Sequence, residues 1–238
     1  MKTIVNYRAI FLDADGTLFD YDRGEKFALE MSLQDFSIKG DQEDLLEIYR
    51  EINKNIWAEF EKGEISAERL KTERFHRFGE KLGVDLNPKT FSEKYLGYLG
   101  QASFLLEGAK EVLDWLKGDY VLILLTNGLS RVQRSRVKLA SLEDYFQELV
   151  ISEEIGEAKP APGIFDRAME AAGNPRREEV LIVGDSLESD IKGGIGYGLD
   201  TCWIRNDGQN TNPGVTPTFI IDEIKELPGL LKGGKIDG

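Results

Sequence analysis

The sequence predicts an α/β fold, a doubly wound parallel sheet with an inserted helical domain. Three observations carry that prediction. Short apolar runs rich in Val, Ile and Leu recur along the chain, as buried parallel strands do. Helical patterns separate the later runs, which is the alternation of strand–helix–strand crossovers. Between the first run and a helix opening near residue 107 lie roughly 80 residues without a convincing strand, too many for a loop.

In chain order, RAIFLD (8–13) reads as a fully buried first strand. The insertion follows. Residues 24–36 read as a helix, and 42–61 as another, with Leu45, Tyr49, Ile52, Ile56 and Phe60 in one stripe. Residues 67–82 repeat the pattern through the Lys71 stem, Phe75, Phe78 and Leu82, and Gly83 suits the C′ position. Asn87-Pro88 reads as an N-cap followed by proline at the first helical position. The alternation then resumes: helix 107–117, strand 120–125, helix 129–140, strand 147–151, helix 161–172, strand 179–183, helix 186–195 and strand 200–204. A short strand at 218–221 and a helix at 222–231 close the chain, and the glycine-rich 233–238 reads as a frayed tail. This places one domain in 1–20 and 101–238 and a helical domain in 21–100, emerging beyond the carboxyl end of the first strand, where ligands bind in open α/β sheets.

The 238 residues carry a net charge of −13, which argues against nucleic-acid polymers as partners and against long-range steering of an anionic substrate. No apolar run reaches the roughly 18 residues of a membrane span. The opening MKTIVNYR has no signal-peptide apolar stretch, and Cys202 is the single cysteine, so a cytoplasmic protein without disulfides is expected. A monomer or weak homodimer is expected.

The first strand ends in Asp13, with Asp15 two residues on, and 179–183 leads into Asp185, with Asp190 five residues later. In a parallel sheet these strand ends share one edge. Two unit charges 4 Å apart repel by about 4 kcal/mol at an effective dielectric of 20. A shared proton, a cationic side chain or a metal must offset that, and a small all-oxygen ligand set points to Mg²⁺. In LLTNG (124–128), Thr126, Asn127 and the N–H groups of the next helix suit phosphate oxygens. In EAKPAPGIF (157–165), Lys159 precedes a proline and a helix. Each segment has a plainer reading: Asp13 or Asp185 as an N-cap, TNG as a turn, Lys159 as a solvated loop residue.

Taken together and in order, DxDGT, TNG, a lone KP and GDxxxxD resemble the haloacid dehalogenase-like (HAD) hydrolase superfamily over nearly the whole chain. FLDADGTLFDY, LLTNGLSRVQRSR, EIGEAKPAPGIF and VGDSLESDIKGG look most like the YjjG/YfnB-type nucleoside 5′-monophosphate phosphatases. The resemblance implies a Rossmannoid core with a helical cap and a phosphoaspartate mechanism on a small phosphorylated metabolite. By that resemblance Asp13 is the nucleophile, and Asp15 is the general acid and then base, holding a proton through its closeness to Asp13. Mg²⁺ sits on Asp13, the Asp15 carbonyl and Asp185, with Asp190 in the outer shell. Thr126 and the Asn127 N–H bind the phosphoryl group, and Lys159 bridges to Asp13.

Asp15 separates phosphoryl transfer from dehalogenation, since the dehalogenases of the superfamily lack it. A β-phosphoglucomutase-like phosphotransferase would carry an Arg/Gly-rich cap motif that 61–74 does not clearly contain. Phosphoglycolate, sugar-phosphate and pyrophosphate hydrolysis share the same reaction centre. A non-catalytic phospholigand-binding protein would lack a catalytic residue, and none is missing. In the cap, Trp57, Phe60, Phe75, Phe78, Tyr95 and Tyr98 read first as core. Tyr21 and Phe19 are better placed to line a cleft. His76 reads as a surface residue, Cys202 as a small core hydrophobe, and Arg131, Arg134 and Lys138 as a solvated helix flank. The glycines of 192–198 read as helix exit and close packing.

Overall fold

The computed structural model describes residues 6–205 and 214–233. In chain order the elements are β1 (Ala9–Leu12), α1 (Tyr21–Asp35), α2 (Gln42–Glu61), α3 (Ala67–Leu82), α4 (Pro88–Leu99), α5 (Ala109–Leu116), β2 (Val121–Thr126), α6 (Ser130–Leu139) and β3 (Glu148–Ile151). They continue with α7 (Ser152–Ile155), α8 (Pro162–Ala171), β4 (Val180–Gly184), α9 (Gly193–Tyr197), β5 (Asp200–Ile204), β6 (Phe219–Ile221) and α10 (Leu227–Gly233). The six strands pair in parallel in the order β3-β2-β1-β4-β5-β6, so the first strand is central.

Period-two alternation explains why β1 is apolar throughout. Ile10 and Leu12 face one apolar cluster, with Leu113 of α5 and Leu227 of α10, while Ala9 and Phe11 face another, with Ile164 and Phe165 of α8. A strand covered by helices on both sides has no solvent face to populate with polar residues. Leu12 pairs with Leu124 and Val183, so the chain leaves β1, β2 and β4 on one edge of the sheet.

Helices α1 to α4 build their own apolar cluster, which includes Tyr49, Phe75, Phe78, Phe91 and Tyr95, all fully buried. Asn87 Oδ1 accepts from the Thr90 N–H at 3.0 Å, and Gly83 ends α3 at φ 65°, both as its residue type predicts. The insertion leaves and rejoins the sheet domain through two paired segments. The Asp20 N–H donates to Phe104 O and the Leu106 N–H to Leu18 O, each at 2.9 Å.

Several boundaries differ from expectation. Helix α1 starts at Tyr21 rather than 24, capped by Asp20 Oδ1 on the Arg23 N–H at 3.0 Å. Tyr21, Asp22 and Glu25 at its start line a cleft, so no apolar stripe announces that end. The helix expected over 186–195 is a π-helix over Leu187–Lys192 followed by the short α9. The wider turn brings Asp190 to complete burial, and Gly194 lets the backbone come so near β4 that a Cβ there would lie 2.6 Å from Ile182 Cγ2. The single helix expected over 222–231 is a 3-10 turn, Ile224–Glu226, leading into α10. The opening MKTIV and residues 234–238 of the tail lie outside the described residues. Among the described residues no helix is long and apolar enough to cross a membrane.

Candidate active site

The edge where β1, β2 and β4 end opens into a cavity of about 420 Å³. Asp13 follows β1 directly, and its N–H still donates to Val183 O at 2.9 Å, so the backbone that carries it is part of the sheet. The Lys159 ammonium, 1% exposed, lies 2.6 Å from Asp13 Oδ1, 2.7 Å from Asp190 Oδ1 and 2.6 Å from Leu125 O. A lysine is kept in such a place only by charge partners of this kind. Asn127 explains how the loop delivers it: the Lys159 N–H donates to Asn127 Oδ1 at 2.7 Å, and Asn127 Nδ2 donates to Lys159 O at 2.9 Å.

Carboxylate oxygens of Asp13, Asp185 and Asp190 all lie within 4.8 Å of one another. Burial raises the Asp13 carboxyl from 3.8 to about 7, against the pull of Lys159 and with a further push from Asp190. Burial, then the charges of Asp13 and Asp190, hold the Asp185 carboxyl well above its ordinary range. Both groups resist ionisation where they stand, and an all-oxygen cluster of that kind fits Mg²⁺. Gly16 is the device that admits Asp185. Its φ is +77°, and a Cβ on it would lie 2.3 Å from Asp185 Oδ2. Gly16→Ala is therefore expected to weaken Mg²⁺ binding by about tenfold or more, and the left-handed backbone adds about 1–2 kcal/mol of strain. Titration calorimetry with Mg²⁺ checks this, and unchanged affinity would refute it.

The structure brings together Asp13, Asp15, Thr126, Asn127, Lys159, Asp185 and Asp190, with two differences from expectation. Thr126 and Asn127 line the cavity, but Thr126 Oγ1 accepts from the Gly128 N–H at 3.0 Å and the Asn127 amide is committed to Lys159. The backbone at 127 remains the part of that residue suited to phosphate. Asp15 lines the cavity too, yet its carboxylate is paired with the Arg136 guanidinium and with Gln133 Nε2 (2.6 Å), rather than with Asp13.

Arg136 and Gln133 lie on the buried face of α6, away from the solvated flank of Arg131, Arg134 and Lys138, and the motifs do not include them. Both are buried, and Val132, Gln133, Arg136 and Val137 form the buried stripe of that helix. A glutamine and an arginine in an apolar helical phase were the available signal. The Arg136 guanidinium also lies over the Phe19 ring at 4.3 Å, which buries Phe19 completely and removes it from the cleft. Tyr21 and Trp57 do line the cavity, whereas Phe75, Phe78 and Tyr95 are core. His76 is exposed and near Glu80, and Cys202 is buried in β5.

A carboxylate joined to a buried lysine at the open edge of a parallel sheet is suited to nucleophilic attack by aspartate. The chain belongs to the haloacid dehalogenase-like hydrolase family, whose sequence model matches residues 7–198. It is 39% identical to the pyrimidine 5′-nucleotidase YjjG of Escherichia coli over 93% of this chain and 96% of that one. It is 30% identical to the pyrimidine 5′-nucleotidase PynA of Streptococcus pneumoniae over 93% of each. The crystal structure of the HAD-hydrolase YfnB from Bacillus subtilis, bound to magnesium, superposes with a TM-score of 0.89 at 31% identity, covering 95% of this chain and 99% of that one. Fold, carboxylate cluster and relatives together make this chain a Mg²⁺-dependent phosphatase that acts through a catalytic aspartate on a small phosphomonoester.

Proposed function

We propose that the substrates are nucleoside 5′-monophosphates, with pyrimidine nucleotides preferred. The observation that carries this reading is the extent of the cavity. It runs from Asp13 and Lys159 beyond the edge of the sheet to Trp57 on α2, so a phosphate at one end and a planar base at the other fit the same space. The activity in the names of two relatives that match along almost their full length supports it. We take 21–100 as the cap and 1–20 with 101–238 as the catalytic domain.

In this reading an Asp13 carboxylate oxygen attacks phosphorus, the bond to the leaving oxygen breaks, and an aspartyl phosphate forms. Asp15 gives the leaving oxygen a proton, then takes one from the water that hydrolyses the acyl phosphate, releasing phosphate and restoring Asp13. That role requires the Asp15 carboxylate to turn from the Arg136–Gln133 pair. Lys159 holds Asp13 in place and puts positive charge beside the transferring group. The Asn127 N–H and Thr126 receive the phosphoryl oxygens. Asp13, Asp185 and the Asp15 carbonyl would hold Mg²⁺, with Asp190 behind them. Magnesium, when bound, supplies positive charge to the carboxylates and to the phosphate.

The test is a panel of nucleotides, sugar phosphates, phosphoglycolate and pyrophosphate in Mg²⁺. The highest kcat/KM is expected for UMP, CMP or dTMP. An optimum outside nucleotides refutes the substrate and leaves the reaction centre intact.

A further inference from the structure

The cap meets the cavity with one helical face. Arg50, Asn53, Lys54 and Trp57 fall at three-, four- and seven-residue spacing on α2 and line the cavity, while Tyr49, Ile52 and Ile56 on the other side enter the cap's apolar cluster. Behind that face runs a buried polar chain. Arg74 of α3 is 1% exposed, and its Nη1 donates to Asn53 Oδ1 at 3.1 Å. Asn53 Nδ2 donates to Glu25 Oε1 at 2.9 Å and to the Tyr21 hydroxyl at 3.0 Å. Glu25, its side chain 3% exposed, accepts from Arg50 Nε at 2.9 Å through Oε2. Arg50 Nη2 donates to Asp22 Oδ1 at 3.0 Å.

Cap stability does not account for this chain. Arg74 lies among aromatic rings, 5.0 Å from the Phe75 centroid and 5.3 Å from that of Tyr95. Its Nε and Nη2 have no hydrogen-bond partner among the described residues. Desolvating a guanidinium costs several kcal/mol, more than one hydrogen bond to a neutral amide returns, and replacing buried charges by apolar side chains of similar volume is often neutral or stabilising. What Arg74 does supply is orientation. It offers donors only, so Asn53 must turn its oxygen to Arg74 and its amide to Glu25. Glu25 in turn offers acceptors only, and it holds the Arg50 guanidinium along one edge while Asp22 holds another. The result is a fixed cation at the cavity wall, with Lys54 and the Trp57 ring on the same helical face.

We propose that Arg50, Lys54 and Trp57 form the surface that reads the base of the nucleoside leaving group, a planar ring with carbonyl acceptors, and that Arg74 is a positioning residue for Arg50, acting through Asn53 and Glu25. The inference rests on the nucleotide reading above. Every pyrimidine nucleobase carries a carbonyl oxygen beside its glycosidic nitrogen, which matches a wall that presents donors. Adenine has no carbonyl. Base stacking on an aromatic ring is insensitive to base identity, so Trp57 supplies affinity and the two cations supply the choice.

The test compares kcat/KM for UMP, AMP and ribose 5-phosphate, the last being the phosphate-bearing sugar of UMP without its base. Wild type should prefer UMP to both. Trp57→Ala and Arg50→Met should lower the ratio of UMP to ribose 5-phosphate by about tenfold or more, chiefly through KM. Arg74→Met, which touches no substrate, should lower the same ratio while its Tm stays at or above that of wild type. If Arg74→Met does not fold, Glu25→Gln, which keeps the shape and removes the charge holding Arg50, should lower the ratio in its place. Equal losses on UMP and ribose 5-phosphate overturn the inference and leave the nucleotide reading standing. A fall in the Tm of Arg74→Met with an unchanged ratio overturns the positioning role. A wild type that turns over ribose 5-phosphate as well as UMP overturns the nucleotide reading, and base recognition with it.

Discussion

Asp13→Asn is expected to lower turnover of every phosphomonoester by at least about four orders of magnitude. Asparagine has nearly the same shape but no carboxylate to bond phosphorus, so the sheet edge persists while the chemistry stops. Thermal melting separates the two. Burial raises the Asp13 carboxyl from 3.8 to about 7. A carboxyl raised on folding contributes stability that is fully present below 3.8 and is lost as pH rises through about 7. Metal-free wild type loses that contribution across this window, and the asparagine variant has none of it to lose. In EDTA the variant should therefore melt above wild type on the alkaline side of about pH 7, with the gap closing on the acid side. Retained turnover would end the nucleophile assignment. A variant that melts below wild type at every pH would end the electrostatic account.

Lys159→Met is the second large effect. Its ammonium joins Asp13 to Asp190 and reaches Leu125 O, all within 2.7 Å. Removing one partner of a buried ion pair costs about 3–5 kcal/mol, because the other charge stays buried without it. Turnover should fall by about two to three orders of magnitude through the loss of positive charge beside the transferring phosphoryl group. The stability loss carries a signature. Asp13→Asn placed on top of Lys159→Met should raise the Tm by more than it does in wild type at the same pH, since it removes a carboxylate that has lost its cation. A double variant whose Tm shift is the sum of the two single shifts would show that Lys159 and Asp13 are not coupled, contrary to the geometry.

Local chemistry made much of this protein readable in advance. The apolar run of β1, the caps at Asn87 and Gly83, and the placement of Asp13, Asp185, Thr126 and Lys159 at strand ends or in the loops beyond them depend on residues close in sequence. They follow from period-two alternation, backbone freedom and turn chemistry. The parallel sheet then brings those ends together by register alone. The side-chain partner of Asp15 could not be read that way. Gln133 and Arg136 are more than a hundred residues away, polar side chains in the apolar phase of their helix whose partner the helix pattern does not name. Glu25, Asn53 and Arg74 are alike in this, polar groups buried on three different helices and joined to one another. Apolar burial is nearly additive, so each residue announces its own preference. Polar burial is favourable only when a specific partner arrives, and here that partner comes from a distant segment. The catalytic edge of the sheet was therefore visible in the sequence, while the wall of the cleft facing it was decided by packing.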